Sequence, residues 1–238
     1  MLKPMLTDEE AYPHYPWARW VYNKLLLSHA LQYECAPHGI KPTTYPVFSK
    51  PIMNLEGMAL GSKVWNSSDD VEYIAGHFWM PLFTGIHCSY DVQLKGGEVV
   101  YCKKAIATHS DDDHKRIQYW KIFNSDLTEA QTLWNNLLPE FTGYVNFETI
   151  GGKIIEVHLR WAAEWYDWYD TPIFYSIPVW WKNLPKDIAI PENTCYVKDV
   201  CGDGDITNQS LEIKRSHIIL CEDLTEGLAL RDKIISNN

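Results

Sequence analysis

Residues Gly143–Trp161 read GYVNFETIGGKIIEVHLRW, and the fold turns on how this stretch pairs with itself. Two apolar-rich segments flank Gly151-Gly152, the short-range signal of a β-hairpin closed by a two-residue loop. With that loop as the turn, Ile150 faces Lys153, Thr149 faces Ile154 and Glu148 faces Ile155. Side chains alternate with period two. Asn146 and Glu148 therefore share one face, and Glu156, His158 and Arg160 share a face of the second strand. Two carboxylates, an imidazole and a guanidinium are thereby gathered at one end of an otherwise apolar hairpin. Acids sit together on a buried strand face only when something positive neutralises them. A hard divalent cation such as Mg²⁺ with phosphates attached does this well. An amphipathic edge hairpin whose Glu148, Glu156 and Arg160 are simply solvated has the same pattern, and the hairpin alone leaves both open.

A chain of 238 residues buries a sizeable core and fits one domain or two small ones. Its net charge of −10 argues against nucleic acid or an anionic membrane surface as partner. The first residues, MLKPMLTDEEAYPHYP, have no apolar core like that of a signal peptide, and nowhere do apolar residues run long enough to span a bilayer. The expected location is the cytoplasm. Cys35, Cys88, Cys102, Cys195, Cys201 and Cys221 are scattered without a CxxC pair or zinc-ligand spacing, so core thiols are expected.

In chain order, residues 1–20 are rich in Pro and aromatics and read as an irregular surface arm. VYNKLLLSHALQY, Val21 to Tyr33, has helical spacing that places Val21, Leu25, Ala30 and Leu31 on one side. A strand follows over Thr44 to Ser49, ending at Lys50-Pro51, and then the loop MNLEGMALGSKVW with Gly57, Gly61 and Ser62. A glycine loop between strands with a lysine nearby lets backbone approach phosphates; a long hairpin loop would look the same. Val71 to Phe83 is apolar and stops at Thr84-Gly85, and HCSYDVQLKGGEVVYCKKA gives a second hairpin around Gly96-Gly97. HSDDDHKR, His109 to Arg116, reads as a solvated loop, although its His109, Asp111, Asp113 and His114 are metal-ligand types. Leu127 to Leu138 has helical spacing, with Asp126 or Thr128 as N-cap and Pro139 as stop. Aromatics crowd Trp161 to Trp181, either as core or as a substrate wall, and Gly202 to Asp205 is a turn. SHIILCEDLTEGLALRDKI reads as a strand and a helix. Antiparallel hairpins between helices make the class α+β.

The order of these pieces resembles the ATP-grasp superfamily, the fold of carboxylate–amine ligases and biotin carboxylases. Lys24 in YNKLLLSHAL and Lys50 in YPVFSKPIMNLEGMALGS look like its two phosphate-binding lysines. FWMPLFTGIHCSYDVQL is similar to the linker and strand that hold adenine, which implies Leu82 and Phe83 beside the base. NFETIGGKIIEVHLR resembles the terminal metal-binding hairpin. It implies Glu148, Glu156 and His158 at the metal, and Arg160 beside the transferred phosphoryl group. Gly57, Gly61 and Ser62 would then cover the phosphates. The resemblance covers roughly 21–161. It implies two α+β subdomains with nucleotide between antiparallel sheets. The division would be an N-terminal arm (1–20), a lid part (21–84), a large sheet with the metal hairpin (85–170) and a C-terminal extension (171–238). His158 stands where the family usually has Asn, so the second metal position is expected to be altered or to favour Mn²⁺ over Mg²⁺. The linker lacks the usual acidic residue, having Met80 and then His87.

The implied activity is an ATP-dependent ligase. A substrate carboxylate takes the γ-phosphoryl group as an acyl-phosphate, and an amine then displaces phosphate to give an amide. Two alternatives remain: a degenerate grasp fold that binds a nucleotide or a partner without ligating, and a small-molecule kinase. The implied N-terminal part is small, and a homodimer would bury the edge it leaves.

Overall fold

The computed structural model describes residues 6–55, 59, 61–109, 117–162, 173–179, 195–199 and 217–236. Gly57, the polar loop after His109, most of the aromatic run after Trp161 and the Gly202–Asp205 turn lie outside the described residues.

Helix α1 spans Asp8–His14, a 3-10 turn spans Arg19–Tyr22 and helix α2 spans Lys24–Ala30. Seven strands follow: β1 (Ala36–Pro37), β2 (Val47–Pro51), β3 (Lys63–Trp65), β4 (His77–Pro81), β5 (His87–Lys95), β6 (Glu98–His109) and β7 (Ile117–Asn124). Then come α3 (Leu127–Trp134), β8 (Gly143–Ile150), β9 (Lys153–His158), β10 (Tyr175–Val179), β11 (Cys195–Asp199), β12 (His217–Cys221) and α4 (Leu224–Ser236). The described strand pairs are antiparallel, and the class is α+β.

The chain forms two compact units. One is built of Pro4–Lys103 and Ser125–Trp161, the other chiefly of Lys104–Asn124 and Ala162–Asn238. In the second unit β11, β12, β10 and β7 lie in that order. Ile177, Val179, Ile219 and Cys221 are buried with Leu230 and Ile234 of α4.

The first unit contains a small sheet, order β1-β4-β2-β3, cored by Ala36, Val47, Trp65 and Trp79. It also contains the run β5-β8-β9. One face of that run is apolar: Tyr90 pairs with Phe147, Phe147 with Val157, and Val92 with Val145. The Tyr90 and Phe147 rings stack at 4.8 Å, and Trp134 of α3 lies 5.7 Å from Phe147. Asp126 caps α3 by accepting from Thr128 N–H at 2.8 Å.

Several local expectations are corrected. Residues 8–14 are not an irregular arm. Thr7 and Glu10 form a reciprocal capping box that starts α1. The second helix begins at Lys24, because the Asn23 side chain accepts from Leu26 N–H at 3.0 Å. It buries Lys24, Leu27 and Ser28, whereas Ala30 is exposed. Helix α3 stops at Trp134, four residues early, where Asn135 turns left-handed at φ 43°. Strand β2 starts at Val47 rather than Thr44.

The Gly151-Gly152 turn forms as expected, with φ of +56° and +74°. A Cβ on Gly151 would also lie 2.3 Å from the Thr84 carbonyl oxygen, whereas a Cβ on Gly96 (φ +59°) would meet nothing within 4 Å. Gly96→Ala should therefore cost only the left-handed backbone term, ~1 kcal/mol. Gly151→Ala adds overpacking and should cost ~3 kcal/mol, as read from urea unfolding of both variants.

Candidate active site

The hairpin β8–β9 departs from regular pairing in one place. Ile150 pairs with Lys153 and Thr149 with Ile154, but Glu148 pairs with Glu156 and Asn146 with His158. The expected pairing of Glu148 with Ile155 is therefore wrong. A β-bulge leaves Ile155 out of the ladder, with two residues of β9 opposing one of β8. Without it Glu156 would stand opposite Phe147 and point into the apolar face. With it, two polar rungs cross the three strands on the face away from α3. Ser89, Glu148 and Glu156 form one; Asp91, Asn146 and His158 form the other. Asn146 donates to Ser89 Oγ at 2.8 Å and to Asp91 Oδ1 at 2.7 Å, which ties the deeper part of this face together.

Like charges directly opposed on a strand pair repel, so Glu148 and Glu156 need cations. The chain supplies two lysines, and two imidazoles stand close by. Lys24 Nζ lies 2.6 Å from Glu156 Oε1, with the Lys24 side chain buried and that of Glu156 14% exposed. His158 Nε2 is 3.5 Å from the same oxygen, and His87 Nε2 is 3.0 Å from Glu148 Oε2. Burial pushes the Glu156 pKa up, but Lys24, His158 and Lys50 outweigh it and hold the group ionised. Lys50 reaches the site from β2 and donates from Nζ to the carbonyl of Ile155, the bulged residue, at 2.9 Å. Its burial, with Lys24 beside it, lowers its pKa to about 8 against the pull of Glu156 and Glu148.

Asp8 of α1 was missed by sequence reasoning. It is 4% exposed and accepts from Tyr22 Oη at 3.0 Å and from His158 Nδ1 at 2.9 Å. Arg160 Nη2 donates to the same Oδ2 that takes His158, and Arg160 Nη1 donates to the Trp161 carbonyl at 2.9 Å. Tyr22 Oη in turn accepts from Leu159 N–H at 3.0 Å. Burial alone would raise the Asp8 pKa, but His158 and then Arg160 bring it down to about 2. The one sequence signal for Asp8 is its place inside the capping box Thr7-x-x-Glu10, which marks a helix start but says nothing of where the first turn points.

The structure thus gathers Lys24, Lys50, Glu148, Glu156, His158 and Arg160 at one face. Gly61 (φ +69°) and Ser62 stand in the β2–β3 loop, with Ser62 Oγ donating to the Ala59 carbonyl at 2.6 Å. Leu82 and Phe83 follow β4, both half-buried, and the Tyr33 ring meets Phe83 edge-on at 4.9 Å. Tyr33 was also missed; burial raises its hydroxyl to about 12, although a hydrogen bond to the Ile154 backbone pulls the other way.

Among the described residues no three His, Cys, Asp or Glu side chains converge on a self-contained metal cage. A pair of opposed carboxylates nevertheless suits a hard cation that arrives with its remaining oxygens supplied by phosphate. Among the described residues, four carboxylates (Asp8, Asp91, Glu148 and Glu156) and three basic side chains (Lys24, Lys50 and Arg160) are grouped here, groups of both signs for a cation and for phosphates. Among the described residues, no helix is long and apolar enough to cross a membrane.

No protein-family model matches this sequence, and no curated protein is detectably similar to it. Solved structures do match. Carboxyaminoimidazole ribonucleotide synthase from Aspergillus clavatus, complexed with ATP, superposes with a TM-score of 0.63 at 13% identity, over 91% of this chain and 74% of that one. Biotin carboxylase from Campylobacter jejuni gives 0.59 at 10% identity, over 97% of this chain and 72% of that one. L-amino acid ligase from Bacillus licheniformis gives 0.54 at 11% identity, over 91% and 71%. At this level of identity the likeness is one of fold, and the chain has the ATP-grasp fold of these proteins.

Proposed function

We propose that this protein is an ATP-dependent ligase that joins a carboxylate to an amine through an acyl-phosphate. The observation that carries the proposal is the gathering of Lys24, Lys50, Glu148, Glu156 and Arg160 on one polar face. The fold is also shared with proteins solved with ATP or ADP. Lys24 and Lys50 neutralise α- and β-phosphate oxygens, the backbone near Gly61 and Ser62 closes over the γ-phosphate, and Leu82 and Phe83 flank adenine. The backbone at Gly57 belongs to the same proposal. Glu148 and Glu156 are the residues that would hold Mg²⁺ or Mn²⁺, with His158 beside them; the cation would supply neutralisation of phosphate charge. Arg160 stabilises the charge that spreads over the transferred phosphoryl group, where positioning and electrostatics do most of the catalysis. A substrate carboxylate attacks the γ-phosphorus and ADP leaves. The amine then attacks the acyl carbon and expels phosphate, giving an amide. The loop between β2 and β3 keeps water from the acyl-phosphate while it waits.

A second reading, nucleotide binding without ligation, is favoured by His158, whose Nδ1 is committed to Asp8. Products separate the two: amide with ADP for the ligase, no turnover for the binder. A stable phosphorylated product would indicate a kinase.

The test is thermal unfolding with Mg-ADP, Mg-ATP and Mn-ATP on wild type and Lys50→Ala. Ligand at 100 times Kd should add about 2.7 kcal/mol, an upward Tm shift of roughly 5 °C for a chain this size. The shift should require metal and vanish in Lys50→Ala; no shift with any nucleotide overturns the reading. Affinity should also fall as pH rises through about 8, because the Lys50 ammonium that meets the phosphates loses its proton there. Phosphate favours the charged form, so the midpoint in the complex should lie higher than in the free protein. An affinity flat from pH 7 to 10 would remove Lys50 from phosphate binding.

A further inference from the structure

We infer that Asp8 is a positioning residue of this site, fixing Arg160 in the orientation that meets the γ-phosphoryl group and His158 in its place beside Glu156; the inference rests on the nucleotide reading above. The carboxylate is an acceptor only, so the proton it receives from His158 must sit on Nδ1. That places a proton on Nδ1 and directs the other edge of the ring, Nε2, toward Glu156 Oε1, 3.5 Å away. The same Asp8 Oδ2 takes Arg160 Nη2, while Oδ1 takes the Tyr22 hydroxyl. Tyr22 is held by Leu159 N–H, the amide between the two side chains being oriented. One carboxylate thus ties α1, the turn before α2 and the end of β9 into a single network.

A carboxylate that served only to neutralise charge could sit anywhere near two cations. This one is 4% exposed, is braced on its other oxygen and reaches His158 at the end of β9 and Arg160 two residues beyond it. Second-sphere carboxylates that set the tautomer and direction of a histidine act in this way. Among the described residues, the other titratable groups facing the network are Glu156, Lys24 and Lys50, which gather at the Nε2 edge of His158 and not at Nδ1.

The test compares Asp8→Asn with wild type by titration calorimetry of two probes, Mg-ADP and the non-hydrolysable triphosphate Mg-AMP-PNP. The tautomer of His158 is read in parallel from imidazole ¹⁵N shifts. Asp8→Asn should keep ADP affinity within about threefold but lower the preference for AMP-PNP over ADP by about tenfold, the worth of one charge-assisted contact. His158 should lose its Nδ1–H signature. Tyr22→Phe, which keeps the charge and removes only the brace, should show a smaller change of the same sign. A purely structural role would weaken both nucleotides equally and overturn the inference, as would an unchanged His158 tautomer in folded Asp8→Asn. Should wild type bind neither nucleotide, the proposed function itself fails, and the ¹⁵N shifts still report whether Asp8 sets His158.

Discussion

Glu156→Gln should abolish ATP turnover to ADP. The substitution keeps the shape of the side chain and leaves an amide oxygen for Lys24, but it removes the negative charge on which Lys24, Lys50 and a bound cation all depend. Loss of one preorganised electrostatic group in a buried site costs on the order of 10²- to 10³-fold in rate. Here the loss should be accompanied by weaker dependence of nucleotide binding on metal. The assay is ADP release with a panel of carboxylic acids and amines, run beside urea unfolding to establish that the variant is folded. A folded Glu156→Gln that makes ADP at the wild-type rate would remove Glu156 from the metal position.

Asp8→Ala should produce the largest loss of stability of any single change in this network, about 3–5 kcal/mol, because it leaves the Arg160 guanidinium and the His158 Nδ1 without the carboxylate that holds them. Removing the charge alone, in Asp8→Asn, should cost about 2 kcal/mol at neutral pH. That figure follows from a folded pKa of about 2 against the 3.8 of an ordinary aspartate. The folded value is the lower one. The contribution is therefore present above the unfolded pKa and fades as pH falls through about 4 towards 2. Urea midpoints of wild type and Asp8→Asn should converge over that interval and stay apart from pH 5 upward. A constant gap down to pH 2 would show that the charge of Asp8 contributes nothing.

What the sequence made legible was local. Gly151-Gly152, Asp126 and the strand–helix pair at 217–236 are determined by neighbours a few residues away, and each formed where the pattern placed it. Lys24 and Lys50 could be recognised by their order along the chain, and both reach the same hairpin. What stayed hidden was contact at long range. Asp8 meets Arg160 across 152 positions, and nothing in TDEE distinguishes a solvated first turn from one driven into a polar face. The bulge was also invisible, since Ile154 and Ile155 are equally suited to a strand and only the need to bring Glu156 round to Glu148 selects between registers. The surroundings of the two glutamates were hidden too: Lys24, Lys50, His87 and His158 of the chain itself all face them.

The bulge also predicts how this hairpin tolerates change in length. Deleting Ile155 would give a regular ladder in which Glu156 still stands opposite Glu148, so the acids would be unmoved. Lys50, however, would lose the carbonyl that receives its ammonium. Position 155 is thus one where the presence of a residue matters and its identity hardly does. Its side chain is only half-buried, and what the site uses is a backbone oxygen. Selection at such a position leaves no preferred letter, only an intolerance of gaps, and among related chains it would look variable while being indispensable.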